Sequence, residues 1–294
     1  MKVKTFYWAL LIFFILCYIF YIPGYNETIK NKSTLQKLGY TPSGRLYKAA
    51  VGEYSWFLGD YLSFKSIIYY GGKIDAVLSG RFAELEYYNL YKTVEASVLL
   101  NPYNEDIYYF AQASFTWDIG RVTEVNRILE YVSKYRTWDY QLLFFLGFNH
   151  AYFLKDYKKA AIYYKKAAEL SKSYLFVNLA ARYLYEGGET DLAIGYLKAM
   201  IQTTRKEDIR RQYEIRLKAL EAIKKIELAV NKYKSLYGTN PTIDSLIVSG
   251  LLNEIPQDPY GGKFYIDENG KVRTTSKLAF LNRKNSKNDS GEFK

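Results

Sequence analysis

The chain has 294 residues, 49% hydrophobic and 24% charged, a globular balance with length for one large or two modest cores. Its formal charge of +11 would suit a polyanion, but basic residues alternate with acids along helical stretches, as at Lys206-Glu207-Asp208, and no nucleic-acid motif is present. Nucleic-acid binding is therefore not expected. The single cysteine, Cys17, and the single histidine, His150, leave no disulfide or Cys/His zinc cluster within one chain. With no phosphate loop either, the chain is expected to be a non-enzyme without metal or cofactor. The 32 tyrosines suit helix interfaces that stay partly wet.

From the N-terminus, Lys2 and Lys4 precede an uncharged run that starts at Thr5 and ends at Ile22. This is long enough to cross a hydrocarbon core of about 30 Å as a helix. Tyr21-Ile22-Pro23-Gly24 is a poor cleavage site, so residues 1–23 are expected to be an uncleaved, single-pass anchor, with Pro23-Gly24 ending the helix. Trp8, Tyr18 and Tyr21 near its ends fit interfacial aromatic belts. The basic head favours a cytoplasmic N-terminus, although Lys30, Lys32, Lys37, Arg45 and Lys48 follow the span. The expected location is the inner (cytoplasmic) membrane, single-pass, with the soluble part periplasmic or otherwise extracytoplasmic.

Residues 24–45 form a polar linker, and helices are expected from 46 to 204. In residues 152–170, Asp156-Tyr157 opens a helix on which Ala160, Tyr164 and Ala167 recur at i, i+4, i+7. Small alanines permit close helix approach and the tyrosine fills the space between. The same positions recur as Val125, Leu129 and Val132, and as Ala193, Leu197 and Met200, after breaks at Gly120 and at Gly187-Gly188. Helical segments precede each, at 106–118, 139–154 and 173–186. A fourth unit ends at Leu100-Asn101-Pro102-Tyr103-Asn104, its first helix placed within 46–70.

This pattern resembles the tetratricopeptide repeat (TPR), a helix–turn–helix unit of roughly 34 residues that stacks into a binding surface. Leu146-Gly147 sits one residue further from Asp156 than the repeat has it, which opens the register of that helix. The resemblance implies a concave groove lined by the first helix of each unit. Carried over, it selects Ser114, Trp117 and Asp118; then Phe145, Asn149 and Tyr152; then Asn178, Arg182 and Tyr185. Such a set would hold a protein or peptide partner by its backbone, carboxylates and apolar side chains. The alternative is that these are ordinary helix positions. His150 reads as a packing residue, and the paired acids Glu84 and Glu86 as a polar helix face.

Residues 205–237 form a long helix with a stripe of Ile209, Tyr213, Leu217, Leu220 and Ile223, suited to capping a solenoid. Beyond Gly238, Thr242 is placed as the N-cap of a short helix, Pro256 to Gly262 as a turn cluster, and Asn269-Gly270 as the turn of a hairpin. Tyr233, Gly238, Pro241-Thr242, Gly250, Pro256, Asp258-Pro259, Tyr260 and Gly261 resemble the end of type II secretion major pseudopilins, with Tyr260 where that family has Trp. The resemblance implies a pilin-like cap over residues 238–276; an unrelated helix-plus-hairpin is the alternative. Asp258 and Asp267 hint at calcium, against which turn aspartates more often bond their own backbone. Residues 277–294 read as an unstructured tail.

The expected fold is thus mainly α: a TPR-like helical solenoid with an N-terminal transmembrane helix and a small C-terminal helix-plus-β-hairpin cap. The expected function is a membrane-anchored scaffold for protein–protein interactions in a cell-envelope assembly, secretion- or pilus-related. A structural pilin-like filament subunit is the alternative.

Overall fold

The computed structural model describes residues 2–31, 38–80 and 85–279. Glu84 and residues 280–294 of the expected tail lie outside the described residues. The protein is mainly helical with one small antiparallel sheet, and it divides into two compact units, Met1–Arg136 and Thr137–Lys294.

The first helix, α1 (Lys2–Asn31), contains Phe6–Tyr25, a stretch of 20 residues long and apolar enough to cross a membrane, with its side chains exposed. Pro23 lies inside α1 and does not end it, which corrects the expected boundary. A proline removes one backbone donor and kinks a helix, but intact hydrogen bonds on either side let it continue. The Tyr21 and Tyr25 rings stack one turn apart across this point, at 6.0 Å.

The rest of the first unit is built on α2 (Gly44–Val51), α3 (Ser55–Leu78), α4 (Tyr87–Leu100), α5 (Glu105–Phe110) and α6 (Val122–Ser133). Helices α3 and α4 pack as a hairpin whose crossing is fixed by Gly59. A Cβ there would stand 2.7 Å from Asn101 Cβ and 2.9 Å from its backbone nitrogen, and the Gly59 carbonyl accepts the Ser97 hydroxyl at 2.7 Å. The Asn101-to-Asn104 turn closes the hairpin, because both side-chain amides donate to one Asp60 oxygen at 2.7 Å. Asn104 also caps α5 by accepting the Ile107 N–H. After α5 the chain widens into a π-helical stretch, Ala111–Asp118. Val125, Leu129 and Val132 are fully buried on α6, as their spacing predicts.

The second unit runs through α7 (Tyr140–Tyr152), α8 (Tyr157–Ser171), α9 (Tyr174–Glu186), α10 (Thr190–Thr203), α11 (Glu207–Tyr237) and α12 (Ile243–Val248), then β1 (Phe264–Ile266) and β2 (Val272–Thr274). Side-chain caps start α7 and α8: Asp139 accepts the Gln141 N–H at 3.0 Å and Asp156 that of Lys159 at 3.1 Å. Ala160, Tyr164 and Ala167 are buried on α8. Gly147 on α7 is what admits the tyrosine, since a Cβ there would lie 3.1 Å from the ring. The extra residue before Asp156 is absorbed in the loop, where Lys155 takes a left-handed φ of 54° and Asp156 N–H bonds the His150 carbonyl.

Gly238 ends α11 in the left-handed conformation, and Thr242 and Ser245 form a reciprocal capping box on α12. The two strands pair antiparallel with Tyr265 opposite Arg273, around a turn in which Asp267 accepts the N–H groups of Asn269 and Lys271. Asp258 is buried, and its carboxylate accepts the Tyr260 N–H and the hydroxyls of Thr274 and Ser276. The hairpin belongs to the core of the second unit: Phe264, Val272 and Tyr260 join Tyr185, Leu220 and Ile223 in one apolar cluster. Leu278, expected in the tail, is 2% exposed in the same cluster.

Candidate functional site

The first unit contains a pocket of about 650 Å³ among the segment before α2, the start of α2, α4 and α6. Its walls follow from three local devices. Thr41 is pinned to α4 by a buried hydroxyl–hydroxyl hydrogen bond to Thr93, 2.7 Å long. Ser43 caps α2. Gly44 brings the start of α2 onto α4, where a Cβ would meet the Ala96 backbone at 3.1 Å. Four tyrosines line the pocket, Tyr40, Tyr88, Tyr91 and Tyr131, with Tyr40 and Tyr88 largely exposed.

Three basic residues, Arg45, Lys92 and Arg127, stand against one acid, Glu95. Lys92 is tied to Glu95 at 2.7 Å, which raises the lysine pKa. Burial raises the Tyr91 hydroxyl, helped by the nearby Glu95 carboxylate, and burial and the Tyr135 hydroxyl push Tyr131 up to about 12. The Tyr91 and Tyr131 phenols therefore stay neutral donors at physiological pH, within a positively charged surround. The volume is that of a ligand pocket. Tyrosine faces with a few cations fit an acidic segment that also carries apolar or aromatic side chains.

The groove residues selected from the repeat resemblance are distributed differently. In the first unit Ser114 is buried, while Trp117 and Asp118 are exposed and Asp118 accepts the Tyr70 hydroxyl. The π-helical stretch that holds all three shifts side-chain positions away from the 3.6-residue period on which they were selected. In the second unit Asn149 is fully buried, Phe145 half-buried and Tyr152 exposed with its ring stacked on Phe148. Asn178 is buried, and its side-chain oxygen has no hydrogen-bond partner among the described residues. Tyr185 is covered by the β-hairpin and donates to the Val272 carbonyl. Burial removes Ser114, Asn149, Asn178 and Tyr185 from an open rim. Of this set, Arg182 and Tyr185 both border a second cavity, about 190 Å³, beside Glu186, Arg273 and Lys277.

The hairpin docks through charge as well as apolar packing. Arg273 bonds Glu186 at 2.6 Å and Asp267 at 3.0 Å, and Lys271 donates to the Glu186 carbonyl at 2.7 Å. Arg216, which the sequence did not single out, is 5% exposed with its guanidinium 5.2 Å from the Tyr260 ring centroid. Its Nε and Nη1 lack a partner among the described residues, and burial lowers its pKa while Tyr260 opposes that shift. No protein-family model matches the chain, and a search of curated proteins finds no significant match.

Proposed function

We infer that the chain is a membrane-anchored, TPR-like scaffold that holds a protein partner in a cell-envelope assembly, with α1 as the anchor and the tyrosine-lined pocket of the first unit as the docking site. The pocket carries this reading: it is open, of ligand size, aromatic and net basic, and built on a rigid helical hairpin. The helix packing supports the scaffold class. Helices α7 to α11 pack chiefly on their neighbours in sequence, through small residues and inserted rings, as stacked repeats do. The length and apolarity of Phe6–Tyr25 support the anchor. An inner-membrane location with the soluble part in the periplasm, and a role in a secretion or pilus-type machine, belong to the same proposal.

The test is capture of cross-linked partners from native membranes by the full chain, compared with Arg127→Ala and Tyr88→Ala. Both side chains line the pocket. A discrete partner lost with either variant, at unchanged thermal stability, supports the docking site. Equal recovery by all three proteins rejects it.

A further inference from the structure

The first unit carries an apolar face that no described residue of that unit covers. On one side of α3, interrupted after Ile68 by exposed Gly71 and Asp75, Phe57, Tyr61, Phe64, Ile68 and Leu78 fall at i, i+4, i+7, i+11 and i+21. They are 62%, 53%, 64%, 58% and 82% exposed. Trp56 and Ile74 extend the face on its flank. The opposite side is spent on packing, with Leu62, Ser66 and Tyr69 buried.

We propose that this face of α3 lies in the headgroup–acyl boundary of the bilayer that α1 crosses, so that the first unit rests on the membrane as well as being tethered to it. This rests on the membrane-anchor reading of α1. Three observations select lipid as the occupant. At 3.6 residues per turn the exposed apolar arc from Trp56 and Ile74 to Tyr61 spans roughly 140°, wider than the seam of a helix pair, so a second copy of α3 would leave part of it bare. The residues are those of a membrane interface, Trp and Tyr among Phe, Ile and Leu. Only residues 32–43 separate α1 from α2, a reach of at most about 45 Å, which bounds how far the first unit can stand from the membrane. Arg45 and Lys48 are exposed on the adjoining α2, and Lys30, Lys32 and Lys37 precede it, a basic margin suited to anionic headgroups.

The test uses the full chain in vesicles of phosphatidylethanolamine and phosphatidylglycerol, with Cys17→Ser as background. Nitroxide labels are placed singly at Phe64→Cys and Ile68→Cys on α3, at Phe14→Cys on α1, and at Lys218→Cys on exposed α11 as the aqueous reference. Accessibility to oxygen and to a water-soluble nickel chelate is then read at each. The expected result at Phe64 and Ile68 is high oxygen and severalfold lower nickel accessibility than at Lys218. Aqueous values at both sites overturn the proposal, as does spin–spin broadening, which would put a second copy on the face. The Phe14 label separates the two readings. Lipid values at Phe14 with aqueous values on α3 leave the anchor standing and remove the α3 contact. Aqueous values at Phe14 with lipid values on α3 do the reverse.

Discussion

The α7–α8 pair and the α3–α4 pair are both helical hairpins fixed by a glycine, yet they treat apolar residues in opposite ways. In α7–α8 the glycine admits a ring: Tyr164 fills the space over Gly147 and stacks on Tyr183 at 5.4 Å, and the alanines beside it are fully buried. In α3–α4 Gly59 admits backbone, the crossing is tight and carries a buried hydrogen bond, and Trp56, Phe57, Tyr61 and Phe64 of α3 are turned outward while Tyr69 is buried. The first arrangement spends aromatic area on stability. The second keeps it available on the surface, in the unit whose pocket exposes Tyr40 and Tyr88. Aromatic content by itself therefore says little; what separates a core from a surface is which residue the partner helix offers at the crossing.

The contrast is sharpest in the response to substitution. Tyr164→Ala removes a buried ring from a site that cannot collapse, and it is expected to cost about 3–5 kcal/mol in chemical unfolding. Ala160→Leu overpacks the same interface and is expected to cost about 1–3 kcal/mol. If neither changes stability, α7 and α8 are not held as described. Tyr185→Phe leaves the Val272 carbonyl without its donor and should cost about 1 kcal/mol. The same change made at a binding rim would leave stability alone, so this variant separates a hairpin-docking role from a groove role. At the small end, Phe64→Ser on α3 should change stability by no more than about 0.5 kcal/mol, because the ring is exposed.

A pH series tests the buried tyrosines together. Burial raises the pKa of Tyr164 and Tyr185 above the ordinary 10.0. The unfolded chain therefore loses these protons first as pH rises, so their contribution is intact below pH 10.0 and is lost progressively above it. Thermal stability should fall steeply on that alkaline side, with tyrosinate absorbance appearing together with unfolding. Ionisation of these tyrosines in a chain that stays folded would contradict their burial.

Much of the second unit was legible in the sequence because its determinants are local. The Ala160, Tyr164, Ala167 spacing, the caps at Asp156 and Thr242, and the Asn269-Gly270 turn each specify their structure within a few residues. What the sequence hid is what depends on distant partners. The pocket joins residues near 40, 90 and 130, and no periodicity links them. Tyr185 looks like an exposed polar-tipped residue until the hairpin, 87 residues further on, is laid over it. The π-helical stretch breaks the period used to place Ser114, Trp117 and Asp118, without a proline or glycine to announce it. On α3 a helix was expected, but the outward direction of its apolar face could not be read until α4 was seen to contact the other side.

The central claim, that the exposed pocket of the first unit docks a partner while the buried polar residues of the second unit serve folding, is tested most directly by site-specific photocrosslinking in native membranes. A photoreactive residue would replace Tyr88 in the pocket or, separately, Tyr152 among the residues of the expected groove; both side chains are exposed, so both are tolerated. The account predicts a discrete adduct from Tyr88 that disappears when Arg127→Ala is added, and none from Tyr152. A discrete adduct from Tyr152 with none from Tyr88 would contradict it and return the binding surface to the groove.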